Sequence, residues 1–213
     1  AILAQGLSNA YIQDGGAVID TAGREISLPQ LLRVDTASPG GGLTKRGAGS
    51  LTPTGVNTYT GVTTVEAGTL YVTRATGVLG ATAQGTVVEA GATLALSGGI
   101  AYAAGEALQI AGAGEGSRGA LQSDAGGNTW NGPVVVAAAG CRIGAQDGAA
   151  LTVAGAITEA TPGLGVIFRS GLTPGFDVTV SGAANVWTGP TVVFSSSSTG
   201  GAVKLGRDNA FPA

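Results

Sequence analysis

A short pattern recurs three times along this chain, and it constrains the fold more than any other feature. Residues 57–65, 128–136 and 185–193 read NTYTGVTTV, NTWNGPVVV and NVWTGPTVV. The shared order is Asn, any residue, an aromatic residue, Thr or Asn, Gly, and then a Val-rich segment. Self-similarity of this kind indicates a repeat architecture, in which each unit buries its apolar face against its neighbours. We therefore expect an array of similar units along one axis.

A second element predicts how one unit folds. Residues 65–72 and 88–96 read VEAGTLYV and VEAGATLAL, with apolar residues alternating around a central glycine. This pattern predicts two short strands joined by a bend. Strands this short cannot bury enough surface alone, but stacked coils bring each inward side chain against its equivalent about 4.8 Å above and below.

Stacking by coils fixes the predicted fold class. Parallel strands need crossover connections, and the chirality rule for such connections favours a right-handed path. The sequence thus predicts an all-β chain, a single right-handed parallel β-helix (β-solenoid) over residues 1–213. At roughly 20–25 residues per coil, the chain would make about nine or ten coils.

Composition supports this prediction and excludes several function classes. Charged residues make up 11% of the chain, apolar residues 44%, and glycine occupies 39 of 213 positions, which suits tight corners. The net charge is −3, and no basic stripe exists that could neutralise nucleic-acid phosphates. No apolar run reaches the roughly 18 residues of a membrane span. We expect neither a nucleic-acid partner nor a membrane span in this segment.

One stretch carries a specific family resemblance. Residues 42–70, GLTKRGAGSLTPTGVNTYTGVTTVEAGTL, closely resemble the autotransporter-associated β-strand repeat, whose pattern is roughly GLTKTGAGTLTLSGANTYTGGTTVNAGTL. A degenerate copy covers residues 171–193, without the Lys and the Gly-Ala-Gly, and with residues 174–177 (PGFD) in their place. The resemblance implies a β-helical, passenger-type segment of a bacterial surface protein, located outside the cell or on its surface. It does not imply one particular activity.

The acidic residues do not predict a catalytic centre. Paired carboxylates must lie within about 5–10 Å of each other to cleave a glycosidic bond. The acids here are mostly isolated along the chain, as at Glu66, Glu89, Glu106, Glu115, Asp124, Asp147 and Glu159. Glu66 and Glu89 occupy equivalent repeat positions, so they either stack as a ladder that favours an ion or remain solvated at corners. We favour solvated corners and expect no catalytic residue, metal or cofactor.

Two other features carry alternative interpretations. Tyr59, Trp130 and Trp187 share one position of the repeat, where they either form an exposed row that stacks on sugar rings or fill corners beside glycine. Cys141 is the only cysteine and the chain has no histidine, so we expect a buried, unreactive thiol.

The sequence therefore favours a non-enzymatic structural or adhesive scaffold outside the cell. We expect it to be a segment of a longer surface protein or a subunit that stacks end to end, because neither end looks like a polar cap. Surface glycans are its expected partners. The alternatives are a fragment of a β-helical carbohydrate-active enzyme, of the lyase or hydrolase type, and a module that binds protein strands at its open edge.

Overall fold

The chain folds into a parallel β-solenoid with three faces. A computed structural model describes residues 1–103, 105–171, 177–195, 201–206 and 211–212. Strands β1 to β21 are numbered in chain order, and every pair of strands in the described residues runs parallel. The one helix in this part of the chain is a single 3₁₀ turn, Glu115–Ser117.

The coils contribute strands to three faces, although residues 54–62 and 73–85 carry no strand on the third face. The first face consists of β2 (Ala17–Asp20), β5 (Leu43–Arg46), β7 (Thr63–Val65), β9 (Thr86–Val88), β12 (Leu108–Ile110), β14 (Val134–Val136) and β17 (Ile157–Glu159). The second face consists of β3 (Arg24–Leu28), β6 (Gly49–Pro53), β8 (Gly68–Val72), β10 (Ala92–Ser97), β13 (Leu121–Trp130), β15 (Cys141–Ala145), β18 (Val166–Ser170) and β20 (Thr191–Ser195). The third face consists of β1 (Ala10–Ile12), β4 (Leu32–Val34), β11 (Ala101–Tyr102), the second half of β13, β16 (Ala149–Val153), β19 (Val178–Val180) and β21 (Val203–Leu205).

The described residues account for fewer coils than the nine or ten that the sequence predicts. The described residues form about seven complete coils, one for each strand of the first face, with part of a coil at either end. The expected nine or ten assumed that every residue lies on a coil of uniform length. The strands of the first face begin 20 to 26 residues apart, as predicted, so the difference comes from the residues before Ala17 and after Glu159, which form only partial coils in the described part of the chain.

Like side chains form columns along the axis, as the repeat predicts. The inward column of the second face is in register from coil to coil and consists of Leu51, Leu70, Leu94, Leu121, Ile143 and Phe168. All six side chains are completely buried. Because burial of one such side chain contributes about 1.5–3 kcal/mol, these columns are the main source of stability.

Two glycines show why the corners need this residue. A Cβ atom at Gly42 would lie 1.9 Å from the carbonyl oxygen of Val62 in the next coil. At Gly68 the backbone has φ +68°, and a Cβ atom would lie 2.3 Å from the carbonyl oxygen of Gly49. Successive coils therefore approach each other too closely at these corners for any side chain.

Cys141 takes the buried position that the sequence predicts. It begins β15, has no exposed surface, and its thiol donates a hydrogen bond to the carbonyl oxygen of Ile110 at 3.1 Å. The side chain thus serves as a small apolar residue of the core.

Candidate functional site

The three aromatic residues of the repeat lie inside the solenoid. Tyr59 and Trp130 have no exposed surface, and Trp187 is 4% exposed. Trp130 stacks on Tyr102 with ring centroids 5.2 Å apart, and Trp187 packs against Phe168. A sugar cannot stack on a ring without an accessible face, so these residues fill space as in the packing interpretation and do not form a glycan-binding row.

The third copy of the pattern also occupies a different place in its coil. Tyr59 and Trp130 each precede a strand of the first face, β7 and β14, by four residues. Trp187 precedes β20, which belongs to the second face, by the same number. Similarity between residues 185–193 and the other two copies is therefore local similarity and does not mean the same position around the axis. Residues 172–176 of this degenerate copy lie outside the described residues.

In two of the three copies the aromatic residue is hydrogen-bonded to the fourth residue ahead. The hydroxyls of Tyr59 and Thr63 lie 2.7 Å apart, and the indole Nε1 of Trp187 donates to Thr191 at 2.8 Å. Residue 134 is valine, and the buried Nε1 of Trp130 has no partner among the described residues. A buried donor without a partner costs roughly 1–3 kcal/mol.

Replacing Val134 with threonine is expected to stabilise the protein by about 1 kcal/mol, since the nearly isosteric side chain gives Trp130 an acceptor. The same replacement at Val136 is the matched control, because this position is also inward, on the same strand, but lies two residues farther from the indole. The control is expected to lower stability by about 1–3 kcal/mol. Urea unfolding followed by tryptophan fluorescence measures both, and equal losses would contradict the assignment.

The asparagines of the pattern hold neighbouring coils together. Each Oδ1 atom accepts a hydrogen bond from a backbone N–H of the preceding coil. The pairs are Asn57 with Leu32 at 3.0 Å, Asn128 with Ile100 at 2.8 Å, and Asn185 with Ile157 at 2.7 Å. All three side chains are buried, so the asparagine has a structural role in every copy.

Glu66 and Glu89 do not stand as an unpaired acidic ladder. Glu66 accepts hydrogen bonds from Arg46 at 2.5 and 3.0 Å, and this contact holds the pKa of its carboxyl below the usual range. Glu89 lies exposed one coil farther on. Within the described ranges, no three Asp, Glu, His or Cys side chains are grouped so as to hold a metal ion.

Glu106 is the acidic residue with the most unusual environment. Its side chain is completely buried, one carboxyl oxygen accepts a hydrogen bond from Thr86 at 2.7 Å, and the other has no partner among the described residues. Burial raises the pKa of Glu106 to about 7. Perturbed carboxyls often mark functional sites, but none of the surface cavities described for this chain is lined by Glu106.

A cluster of charged residues on the second face was not predicted from the sequence. Arg118, which follows the 3₁₀ turn, contacts Asp124 at 3.2 Å and Glu115 at 3.6 Å. Tyr71, two coils before Asp124, donates a hydrogen bond from its hydroxyl to the same carboxylate at 2.7 Å. The close sequence spacing of Glu115, Arg118 and Asp124 beside several glycines was the available signal, but Tyr71 is 53 residues from Asp124.

A groove lies next to this cluster on the outer side of the second face. It is an open depression of about 470 Å³, lined by Ala1, Glu25, Ile26, Ser27, Ser50, Thr52 and Tyr71. Most of these residues come from β3, β6 and β8; Glu25, Ser27, Ser50, Thr52 and Tyr71 alternate with inward residues, whereas Ile26 is in register with Leu51 and packs against the core. The groove is the candidate binding surface of the described chain because it combines an aromatic ring, hydroxyls and a carboxylate.

Comparison with known proteins gives one match. Residues 43–72 match the family model of the passenger-associated-transport-repeat. These bounds coincide with the first residue of β5 and the last residue of β8. No curated protein and no solved structure matches the chain. The described part of the chain contains no helix that could serve as a membrane span.

Proposed function

We propose that this chain, which carries a passenger-associated-transport-repeat at residues 43–72, is a non-enzymatic length of extracellular scaffold within a passenger-type surface protein. Its proposed function is to form a rigid, regular rod that projects binding surface away from the cell. The proposed hand of the coil is right, as the crossover rule favours. Adhesion through the outer surface of this rod is part of the proposal.

The observation that carries the proposal is the coincidence of the matched repeat with whole structural elements. The match begins and ends at strand boundaries, and its inward residues Leu51 and Leu70 stand in a column that continues to Phe168. A repeat that fits into continuous columns adds length without changing the fold. This is the property expected of a scaffold.

The arrangement of charged groups supports a role without catalysis. Asp124 and Glu115 both contact Arg118, and Asp124 also accepts the Tyr71 hydroxyl, so neither acid is an isolated carboxylate poised over an open cleft. Glu106, the acid with a pKa suited to proton transfer, lies in the core. The alternative, a carbohydrate-active enzyme fragment, would need a pair of acids that reach a substrate.

The ends of the described solenoid support a longer object. Apolar side chains of the partial coils are exposed, among them Ile2 and Leu3 at one end and Phe194 and Leu205 at the other. Open strand edges of this kind pair readily with further strands. A further coil would come from continuation of the chain or from a second copy stacked end to end.

Protease shaving of intact producing cells tests the location. Trypsin added outside the cells is expected to release peptides that end at exposed basic residues such as Arg33 and Arg74, while a cytoplasmic marker protein stays intact. Detection of these peptides only after cell lysis would contradict a surface location.

Incubation of the purified chain with a panel of polysaccharides tests the absence of catalysis. We expect no new reducing ends and no unsaturated products. Turnover that disappears in Asp124→Asn, with folding unchanged by circular dichroism, would establish the enzyme alternative instead.

A further inference from the structure

The groove on the second face owes its regularity to strand register. In β3 and β6, Glu25 lies opposite Ser50 and Ser27 lies opposite Thr52. Adjacent coils are about 4.8 Å apart, so polar side chains recur along the groove at that interval. This interval is close to the length of one hexose unit in an extended glycan chain.

The polar groups of the groove are available to a ligand. The hydroxyls of Ser27, Ser50 and Thr52 and the carboxylate of Glu25 make no hydrogen bond to any described residue, although each belongs to a regular strand. A row of hydroxyls and a carboxylate without protein partners offers both donors and acceptors. Sugar hydroxyls need both.

Tyr71 supplies a fixed aromatic face at one end of this row. Its register partner in the next coil is Ala95, a small, fully buried residue over which the longer side chain extends. Its hydroxyl reaches Asp124 in the coil beyond at 2.7 Å, and Arg118 in turn holds Asp124 at 3.2 Å. The ring is thus positioned before any ligand arrives, which reduces the entropy lost on binding.

The charge of the groove narrows the class of ligand. Glu25 is the one charged side chain among the lining residues, and Arg118, on the far side of Tyr71, is already engaged by Asp124 and Glu115. The amino group of Ala1, which also lines the groove, donates to the carbonyl oxygen of Glu25 at 2.7 Å, so an anionic glycan would meet a carboxylate and no cationic side chain among the lining residues. A neutral sugar chain meets hydroxyls, one acceptor and the apolar face of a ring.

We propose that this groove binds a short neutral oligosaccharide, with Tyr71 as the stacking platform and Ser27, Ser50 and Thr52 as hydrogen-bonding partners. The site differs from the one that the sequence suggested, since Tyr59, Trp130 and Trp187 are buried. The proposal rests on the surface role proposed above, because a glycan partner requires exposure outside the cell.

Saturation-transfer NMR and calorimetry on the purified chain test the site, with cello-, xylo-, malto- and chito-oligosaccharides of about three to six units as probes. Tyr71→Ala is expected to weaken binding roughly tenfold, and Tyr71→Phe, which keeps the ring and loses the contact with Asp124, only a few-fold. Tyr11→Ala is the control, because Tyr11 is an exposed tyrosine on the third face, whereas Tyr71 is half-buried on the second. This control is expected to bind like the unchanged protein.

Three outcomes would overturn the proposal: no binding of any neutral oligosaccharide, equal binding by Tyr71→Ala, or tighter binding of a uronate oligosaccharide than of its neutral counterpart. Circular dichroism and thermal unfolding check that each variant folds. The assay uses purified protein, so it is independent of cellular location. Tyr71-dependent binding by a chain that shaving does not reach would refute the surface role alone, whereas a surface-exposed chain without binding would refute the groove alone.

Discussion

Lys45→Met is expected to lower the free energy of unfolding by about 3–5 kcal/mol, more than a typical substitution. Lys45 stands in an inward column of the first face, between Ile19 and Val65, and has no exposed surface. Its ammonium group donates to the carbonyl oxygens of Arg46 at 3.0 Å, Gly47 at 2.6 Å and Ala67 at 2.8 Å.

The size of the effect follows from the carbonyl oxygens that lose a hydrogen-bond donor when methionine replaces Lys45. The apolar stem is retained, but the carbonyl oxygens of Arg46, Gly47 and Ala67 lose the ammonium as a donor, although that of Arg46 still accepts from the N–H of Thr21 at 3.0 Å. Burial lowers the pKa of Lys45, and the negative charges of Glu115 and Asp20 act in the opposite direction. Through the carbonyls of Gly47 and Ala67, Lys45 thus links two coils at a corner of the backbone.

Urea unfolding followed by the fluorescence of the two tryptophans measures this loss. Lys45→Gln, which keeps a donor on a shorter side chain, is expected to lose less stability than Lys45→Met. Arg74→Met is the control for removing a positive charge at an exposed position, and its stability is expected to change by less than about 0.5 kcal/mol. Similar values for Lys45→Met and Arg74→Met would show that the buried ammonium contributes nothing.

Stability is expected to fall by about 3 kcal/mol as the pH rises from about 4.5 to about 7, because of Glu106. Burial raises the pKa of this carboxyl from 4.5 to about 7 in the folded protein. Between these values the folded state keeps a proton that the unfolded state releases, so raising the pH favours unfolding. Below this window both states are protonated, and above it both are ionised, so the contribution is constant on either side.

Glu106→Gln is the direct test, since the amide keeps the acceptor for Thr86 and cannot ionise. Its stability is expected to stay level between pH 4.5 and 7, while the exposed control Glu89→Gln keeps the fall of the unchanged protein. The lowered pKa values of Glu66 and Glu159 act in the opposite direction, but at lower pH, as their carboxylates become protonated. A level profile in the unchanged protein would refute the assignment to Glu106.

The neighbours of Glu106 do not titrate in this window. Tyr59 and Tyr102 interact electrostatically with it, and burial raises the pKa of both phenols, so they remain neutral. The pH dependence between 4.5 and 7 therefore depends on one buried carboxyl.

The sequence by itself determined the architecture of this protein. Alternating apolar residues around Gly68 specify strand, corner and strand, and repetition of the unit requires like residues such as Leu70 and Leu94 to stack. The burial of Cys141 followed from the same alternation. These features depend on neighbours in sequence and on the stacking of like strands in successive coils, so a local pattern is sufficient to predict them.

Only the tertiary structure decided where the repeated residues lie around the axis and which outward side chains meet. The number of residues per coil varies, and Trp187 precedes a strand of a different face from Tyr59, although both bond to the fourth residue ahead. Tyr71 contacts Asp124, two coils farther along the axis and 53 residues later in the sequence. The sequence separation of such a contact is the sum of the lengths of the coils that it spans. A local pattern does not fix those lengths, and the groove beside Tyr71 exists only once they are set.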